Sequence, residues 1–273
     1  MNFSGTWENL TKLWEKTRLP QEGISLALGG GAVLGAAHIG VLKALDENSI
    51  KISAISGTSI GALIASLYAF GKKPSQIEEF IAELEWLDVS GFTLSKYGIL
   101  SNEDLGKYVT KHIGAVDFSE AGIPLHLIAT DLSEGKKIIL NTGRVSEAIM
   151  ASTCIPGIFV PVEIDDRLLV DGGLVENVPV SPLRDSGCNF IVGVDLNAGR
   201  QYQRPKDIID VFVNAIDIAI DNVTRSQTTE ADLVIAPELG SYSRRDTSRI
   251  SELINEGYEG ACKLIVKLKS RGV

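Results

Sequence analysis

Apolar residues in this chain recur in two alternating patterns, which are short continuous runs and longer amphipathic stretches. Residues 24–28 form a continuous run typical of a buried strand, and residues 35–45 place apolar side chains on one helical face. A β-branched run at 50–55 and a helix-forming apolar run at 62–70 repeat this order. The alternation continues to residue 196 and predicts an α/β fold with three layers, in which helices cover both sides of a central, mostly parallel, mixed sheet.

Two segments in the middle of the chain are interpreted as hairpins that make this sheet mixed. One includes residues 136–140, and the other joins 160–164 to 167–171 across Asp165-Asp166. Further on, helices at 207–224 and 247–269 are predicted to flank a short strand at 233–236. The first of these helices carries a single narrow polar stripe, formed by Asp210, Asn214, Asp217 and Asp221. We therefore expect it to be buried on several sides, by core packing or, as the second choice, at a dimer interface.

The length of the chain, 273 residues, is sufficient for one α/β core. We expect an N-terminal segment at 1–22 and a single domain at 23–273, with the motifs at 24–196 and a helical C-terminal part at 205–273. In the N-terminal segment, Trp7, Leu10, Leu13 and Trp14 share one helical face. Such a face suits a membrane interface, the protein core or self-association. The aromatic residues of 86–100 fit either a lip over an acyl pocket or an ordinary surface loop.

The net charge of −9 argues against nucleic acid as a partner and against simple electrostatic adsorption to anionic lipid. The three cysteines lack metal or disulfide spacing, which fits a reducing compartment. No signal-peptide pattern opens the chain, and its longest apolar stretches are shorter than the ~20 residues that cross a bilayer. We therefore expect a cytoplasmic protein, with peripheral membrane contact and a homodimer left open. No cluster of carboxylates or histidines suggests a metal site.

The segment Gly57-Thr58-Ser59-Ile60-Gly61 fits the G-x-S-x-G pattern between a strand and a helix. A serine on such a sharp turn needs small neighbours, because the backbone is crowded and φ can be positive there. The helix N-terminus also favours negative charge. The alternative is an N-cap serine without chemistry, but the flanking patterns are those that the motif requires. Ser59 is therefore predicted to be a nucleophile, with Gly57 and Gly61 as supporting turn glycines.

A glycine-rich loop, Gly29-Gly30-Gly31-Ala32, separates the first strand from the first helix. Its bare N–H groups suit the oxyanion of an acyl intermediate. Gly29, Gly31 and Gly35 also approximate the dinucleotide-binding glycine pattern, which needs an acidic residue after the second strand. No acidic residue is present there. The loop is therefore predicted to be an oxyanion hole, with Gly30, Gly31 and Ala32 as donors and Gly29 as a supporting turn glycine.

A serine nucleophile needs a base. The three histidines, His38, His112 and His126, lie in helix or strand patterns and are expected to be structural. Asp171 closes an apolar strand and is followed at once by Gly172 and a second glycine. Partial desolvation would raise the pKa of this carboxyl and make it a better base. An ordinary Asp-Gly-Gly turn is the alternative. We predict that Asp171 is the general base and that Gly172 is a supporting turn glycine.

Taken in order, the glycine loop, the serine motif and Asp171-Gly172-Gly173 resemble those of the patatin-like phospholipases, as do segments 151–162 and 176–180. The resemblance covers about residues 24–196. It implies a patatin-like fold and a Ser59–Asp171 dyad without histidine, with the oxyanion hole at 30–32. Many members carry Arg or Lys where this chain has Leu34, and often glycine in place of Ala32. The resemblance therefore implies ester hydrolysis more strongly than recognition of a phospholipid headgroup.

These features together predict a serine hydrolase that cleaves carboxylic ester bonds of lipids through an acyl-enzyme intermediate. The substrate would be a phospholipid, a lysophospholipid or another acyl ester, and no cofactor is expected. Two alternatives remain open. An acyltransferase would use the same serine with an acceptor other than water, and a non-catalytic lipid-binding protein would use the glycine loop for binding alone.

Overall fold

The computed structural model of the protein describes residues 23–84, 91–95, 98–202, 204–206, 208–244 and 246–270. Its strands are β1 (Ile24–Leu28), β2 (Ile52–Thr58), β3 (Gly91–Ser95), β4 (Gly98–Ser101), β5 (Leu125–Asp131), β6 (Lys136–Leu140), β7 (Val162–Ile164), β8 (Arg167–Asp171), β9 (Ile191–Val194) and β10 (Leu233–Ile235). Its helices are α1 (Ala36–Glu47), α2 (Ile60–Ala69), α3 (Pro74–Glu83), α4 (Glu103–Ile113), α5 (Val145–Ser152), α6 (Ser181–Asp185), α7 (Ile208–Gln227) and α8 (Ile250–Ser270).

The central sheet has the strand order β10-β9-β1-β2-β5-β8-β7, and β6 also pairs with β5. Strands β10, β9, β1, β2 and β5 run parallel, whereas β6 and β8 run antiparallel to β5, and β7 runs antiparallel to β8. The predicted mostly parallel, mixed sheet is therefore confirmed. Asp165 and Asp166 turn the β7–β8 hairpin with φ of 52° and 60°, as a tight two-residue hairpin turn requires.

Helices cover both faces of the sheet and give the predicted three layers. Successive side chains of a strand point to opposite faces. In β1, Leu26 and Leu28 enter a large core that includes α1, α2 and α8, whereas Ala27 enters a smaller cluster with Val180 and Leu183 near α6. Parallel strands with both faces buried read as nearly continuous apolar runs, which explains why the sequence pattern was so clear.

The predicted N-terminal segment and the predicted aromatic lip lie wholly or partly outside the described residues. The N-terminal segment 1–22 lies outside the described residues, as do residues 85–90 and 96–97 of the region around the predicted aromatic lip. The described backbone of that region forms an antiparallel pair of strands, β3 and β4, where the sequence had suggested a lip or an ordinary loop. Within the described part of the chain, no helix is both long and apolar enough to cross a membrane.

The expectation that the helix at 207–224 is buried on several sides is wrong. Helix α7 buries Asp217, Asp221 and Thr224, yet Val211 and Ile218 on its opposite side are exposed. The helix packs with one side against the short turn Gly172–Leu174, and no further layer of the described chain covers its other side. Its polar stripe thus faces inward, where the partly buried side chains of Arg200 and Arg244 pair with Asp217 and Asp221.

Candidate active site

Ser59 occupies the turn between β2 and α2, as predicted. Its φ of 55° and ψ of −126° lie outside the regions that non-glycine residues ordinarily adopt. Its carbonyl accepts hydrogen bonds from the first turn of α2, at Ala62 (2.8 Å) and Leu63 (3.2 Å). Ser59 stands at the N-cap of α2, but among the described residues its hydroxyl caps no amide of the helix. A strained backbone that leaves a hydroxyl uncommitted to capping is typical of a functional site.

The close approach of α2 to the end of β1 explains why the serine motif needs glycine. A Cβ on Gly61 would lie 2.2 Å from the carbonyl oxygen of Leu28, and a Cβ on Gly57 would lie 2.3 Å from the carbonyl oxygen of Gly61. No side chain fits at either distance. These glycines allow the Ser59 turn to lie directly over the glycine loop that follows β1.

The strained turn is held by a buried serine from α5. Ser152 Oγ accepts a hydrogen bond from the Ser59 amide (3.0 Å) and donates one to the carbonyl of Ile128 (2.7 Å). One hydroxyl therefore links the Ser59 turn to β5. Because both partners are main-chain atoms, this link positions Ser59 without engaging its hydroxyl.

Asp171 reaches the level of Ser59 through strand register. Thr58 is paired with Ile128, and the next residue of β5, Ala129, is paired with Asp171 on the antiparallel strand β8. Strand β5 extends beyond the end of β2, and β8 pairs with this extension of β5. The last residue of β8, Asp171, therefore lies beside Ser59. The Thr130 hydroxyl donates to the Asp171 carbonyl (2.8 Å), and the Gly173 amide donates to its carboxylate (2.8 Å).

Burial raises the pKa of Asp171 from 3.8 to about 6. Hydrogen bonds from the Ser59 side chain and the Gly173 amide lower this pKa, as does the nearby charge of Arg244, whereas Asp217 raises it. Desolvation is the largest of these effects. A carboxyl with a pKa near 6 is ionised at neutral pH and is a stronger base than an exposed aspartate.

The three histidines have structural surroundings. His38 is buried, and burial lowers its pKa to about 4, so it is neutral. Its Nε2 donates to the carbonyl of Gly29 (2.7 Å), which positions the glycine loop. His126 lies in β5 with its Nε2 3.2 Å from the Ser186 hydroxyl, and His112 Nδ1 contacts the Tyr108 carbonyl in α4 (2.8 Å). None of these histidines lines the cavity that Ser59 and Asp171 share.

The glycine loop is fixed by hydrogen bonds on its outer side. Gly29 donates to the Val194 carbonyl (3.1 Å), and Gly30 donates to both the main-chain carbonyl and Oδ1 of Asn177 (3.2 Å each). Asn197 Nδ2 donates to the Gly30 carbonyl (3.2 Å). The amides of the next two residues, Gly31 and Ala32, have no hydrogen-bond acceptor among the described residues. These two amides are therefore the loop donors that remain available to a ligand.

Ser59 and Asp171 line one cavity of about 190 Å³ together with Gly30, Gly31 and Ala32. The rest of its wall is mainly apolar and comes from the segment before β7, the turn after β8 and the inner side of α7. The apolar wall residues are Ile155, Pro156, Ile158, Leu174, Val213, Ile216 and Ile220. An apolar cavity with a few convergent polar groups is the usual form of a small-molecule site, and this one suits an acyl chain.

A second cavity of about 410 Å³ adjoins the first and shares Val213, Asp217 and Arg244 with it. Arg244 Nη1 pairs with Asp217 (2.6 Å), and its Nη2 donates to Asn197 Oδ1 (2.8 Å). Arg200 Nη1 lies 3.2 Å from the same aspartate, so the two arginines share one buried carboxylate. Because Asn197 also binds Gly30, this ion-pair network connects α7 to the glycine loop.

The structure brings together Ser59, Asp171, Gly30, Gly31 and Ala32 in one cavity. The predicted turn glycines lie beside it: Gly29 directly after β1, Gly57 in β2, Gly61 in the first turn of α2, and Gly172 directly after β8. Leu34 is a buried apolar residue. Arg244, from the segment before α8, supplies a cation close by, and its carbonyl accepts from the Val33 amide (3.3 Å).

Four positioning residues were missed by the sequence reasoning: Ser152, Asn177, Asn197 and Arg244. Two of them lie in the motif segments 151–162 and 176–180, but a linear pattern does not show which amide a side chain reaches. Asn197 and Arg244 belong to a region without any motif. Among the described residues, no group of three or more His, Cys, Asp or Glu could hold a metal ion.

The chain is similar to known proteins in sequence and in fold. A family model described as Patatin-like phospholipase matches residues 26–184, which include Ser59 and Asp171. An uncharacterized NTE family protein of Mycobacterium tuberculosis is 35% identical over 180 residues, covering 64% of this chain and 49% of the relative. Lysophospholipase NTE1 of Meyerozyma guilliermondii is 24% identical over 305 residues, covering 100% of this chain and 21% of that protein. The chain thus spans half or less of the length of these relatives.

Two solved structures share the fold. VipD from Legionella pneumophila superposes with a TM-score of 0.63 at 13% identity, covering 93% of this chain and 68% of VipD. ExoU, in its complex with SpcU from Pseudomonas aeruginosa, gives a TM-score of 0.53 at 18% identity, covering 90% of this chain and 52% of that chain. At these identities the likeness concerns the fold alone.

Proposed function

The chain belongs to the patatin-like phospholipase family, and we propose that it hydrolyses carboxylic esters of lipids through an acyl-enzyme formed on Ser59. The observation that carries this proposal is the placement of a serine on a strained strand-to-helix turn and a buried carboxylate in the wall of one cavity. Both side chains line an apolar cavity beside two available amides. This combination of nucleophile, base and oxyanion donors is what acyl transfer requires.

In the first half-reaction, the Asp171 carboxylate takes the proton of the Ser59 hydroxyl while Oγ attacks the ester carbonyl carbon. The negative charge that develops on the carbonyl oxygen is stabilised by the amides of Gly31 and Ala32, while Gly30 remains bound to Asn177. The carbon–oxygen bond of the ester then breaks. The leaving alcohol takes the proton from Asp171, and the acyl group remains on Ser59.

In the second half-reaction, Asp171 accepts a proton from a water molecule while the water oxygen attacks the acyl-enzyme carbonyl. Collapse of this intermediate returns the proton to Ser59 Oγ and releases the carboxylic acid. Asp171 has to be ionised for both attacks. Its burial is therefore useful, because a pKa near 6 leaves it charged at neutral pH while increasing its basicity.

The second cavity, of about 410 Å³, suggests that the alcohol part of the ester carries a negative charge. Arg200 and Arg244 are paired with buried aspartates, and the exposed Arg204 and Lys206 at its rim add positive charge. We expect a higher kcat/KM for a monoacylglycerol phosphate than for the monoacylglycerol with the same acyl chain. This preference should decrease in Arg204→Gln/Lys206→Gln, and an equal preference in both proteins would contradict the assignment.

The dyad is tested by hydrolysis of a p-nitrophenyl acyl ester. Ser59→Ala and Asp171→Asn should each lower kcat by at least about a thousandfold, whereas Ser66→Ala, a buried serine further along α2, should keep most of the activity. A fluorophosphonate probe should label Ser59 in the wild-type protein and nothing in Ser59→Ala. Substantial activity in Asp171→Asn would refute its role as base.

Product analysis separates hydrolysis from acyl transfer. Free carboxylic acid should account for the ester consumed, even when an excess of glycerol is present as an acceptor. An acylated acceptor as the main product would show that the same Ser59 intermediate serves a transferase.

A further inference from the structure

Helix α7 presents a largely apolar surface to solvent. We call it the outer stripe, and it consists of Ile208, Val211, Phe212, Ala215, Ile218 and Val223. Of these, Ile208 is 78% exposed, Val211 49%, Phe212 45% and Ile218 46%. Apart from the adjacent pair Val211 and Phe212, the members recur at intervals of three to five residues, so they lie along one side of the helix.

The orientation of α7 is the reverse of that expected for a surface helix. Its aspartates Asp217 and Asp221 point inward to ion pairs, while uncharged residues face outward. Between 208 and 223, every described side chain that is exposed is uncharged. Single exposed apolar residues need no explanation, but a continuous apolar patch usually marks an interaction surface.

The outer stripe is continuous with the mouth of the acyl cavity. The ring of Phe212 packs on Gly157, where an added Cβ would lie 3.2 Å from the ring. The residues on either side, Pro156 and Ile158, line the cavity, as does Val213 on α7. The cavity holds about 190 Å³, less than the ~300–1,000 Å³ of most ligand pockets, so a long acyl ester would extend to this surface.

The charges around the outer stripe favour one kind of partner. Arg204 and Lys206 precede it and Arg225 follows it, and all three side chains are exposed. A protein of net charge −9 thus carries an apolar surface with cations at both ends. An antiparallel contact between two copies of α7 would bring these cations together, which opposes a dimer. An anionic lipid surface would instead bind both the cations and the apolar side chains.

We infer that the outer stripe of α7 docks the protein on an anionic lipid surface, with the acyl cavity opening toward the lipid. The inference rests on the proposed lipid-ester hydrolysis for its purpose, but docking is measurable without turnover. Binding would insert the apolar side chains between the lipid headgroups. The long ester could then enter the cavity without crossing water.

Docking is tested in the Ser59→Ala protein, so that the vesicles are not consumed. The vesicles consist of phosphatidylcholine with phosphatidylglycerol, and binding is measured by co-sedimentation. Adding Val211→Ser/Ile218→Ser should weaken binding by about tenfold or more, because two apolar side chains no longer insert. The matched control, Leu132→Ser/Val266→Ser, removes residues that are 50% and 69% exposed elsewhere, and it should bind unchanged.

Catalysis provides a second readout in proteins that retain Ser59. Hydrolysis of soluble p-nitrophenyl butyrate should be equal in the wild type and both double variants, whereas hydrolysis of vesicle lipid should fall only in Val211→Ser/Ile218→Ser. Equal vesicle binding by the stripe and control variants would overturn the inference. The inference would also be overturned if the protein were a dimer that Val211→Ser/Ile218→Ser converts to a monomer, or a monomer that binds no vesicle. Absent hydrolysis with intact vesicle binding would instead refute the proposed function alone.

Discussion

Ser59 and Arg244 line the same cavity, but the structure holds them in different ways. The nucleophile side depends on main-chain geometry, with a strained turn, close glycine contacts and amides bound to neighbouring carbonyls. The opposite side depends on side-chain ion pairs, in which Arg200 and Arg244 share Asp217. The first side lies within the family match at 26–184, whereas the second lies beyond it.

This difference suggests that the two sides of the cavity have different roles. Main-chain hydrogen bonds between packed strands fix atoms within narrow limits, which suits groups that must meet a reacting carbonyl. Ion pairs between side chains accept other residues more easily, which suits a wall that selects substrates.

The largest loss of stability is expected where a buried carboxylate loses one of its two arginine partners. Arg244→Met leaves Asp217 with Arg200 alone and should reduce the free energy of unfolding by about 3–5 kcal/mol. The double variant Arg244→Met/Asp217→Leu removes both charges and should recover more than half of that loss. Urea denaturation of the two variants measures the difference. A double variant as unstable as the single one would show that the ion pair does not hold this wall.

A comparable loss of stability is expected when one methyl group is added beside the Ser59 turn. In Gly61→Ala the new Cβ meets the Leu28 carbonyl oxygen at 2.2 Å, so α2 must shift away from β1. We expect a loss of about 3 kcal/mol in unfolding free energy and much slower labelling of Ser59 by a fluorophosphonate. Gly260→Ala is the control, since its nearest new neighbour is a side-chain carbon of Ile235 at 3.3 Å. Similar stability of both variants would contradict the close approach.

A gain of stability is expected from Asp171→Asn. The folded protein binds this proton more tightly than the unfolded chain does, because the pKa rises from 3.8 to about 6 on folding. The charged carboxylate therefore destabilises the fold above about pH 6, and this penalty disappears as the pH falls toward ~4. The variant should be more stable than wild type by about 1–3 kcal/mol near pH 8, with the difference shrinking at low pH. Urea denaturation at several pH values measures it, and a constant difference would contradict the raised pKa.

The smallest expected effect is a shift in the pH dependence of activity, which links the two sides of the cavity. The activity of the wild type should rise with pH through a limb near 6, as Asp171 loses its proton. The charge of Arg244 lowers the pKa of Asp171 and that of Asp217 raises it. Arg244→Gln should therefore move the limb to higher pH, and Asp217→Asn should move it to lower pH. Profiles of kcat/KM against pH decide this, and shifts in the same direction would exclude an electrostatic origin.

Much of the nucleophile side could be predicted because local rules govern it. A strand pattern, a G-x-S-x-G turn and a helix pattern restrict the backbone around Ser59 to very few conformations, and the positive φ that was expected is observed at 55°. The glycine loop is similar, since its residues follow a buried strand directly. Among the loop donors, however, the pattern did not reveal that the amide of Gly30 is taken by Asn177.

Asp171 is an intermediate case. Its position at a strand end was clear, but strand β8 is antiparallel, so its C-terminal end need not lie at the edge where the parallel strands end. The register decides the matter, because Ala129 pairs with Asp171 one residue beyond the pairing of Thr58 with Ile128. Register depends on long-range packing of both strands, which no local pattern contains.

By itself, the sequence determined the alternation of strands and helices, the sharp turn at Ser59 and the glycine loop after the first strand, because short-range backbone constraints dictate them. Only the tertiary structure decided that Asn177, Ser152 and Asn197 secure those groups, and that Arg244 lies beside Leu34. It also decided that α7 turns its aspartates inward and its apolar side outward. These outcomes depend on which distant charges and amides meet in the folded core, and that choice is made by the packing of the whole chain.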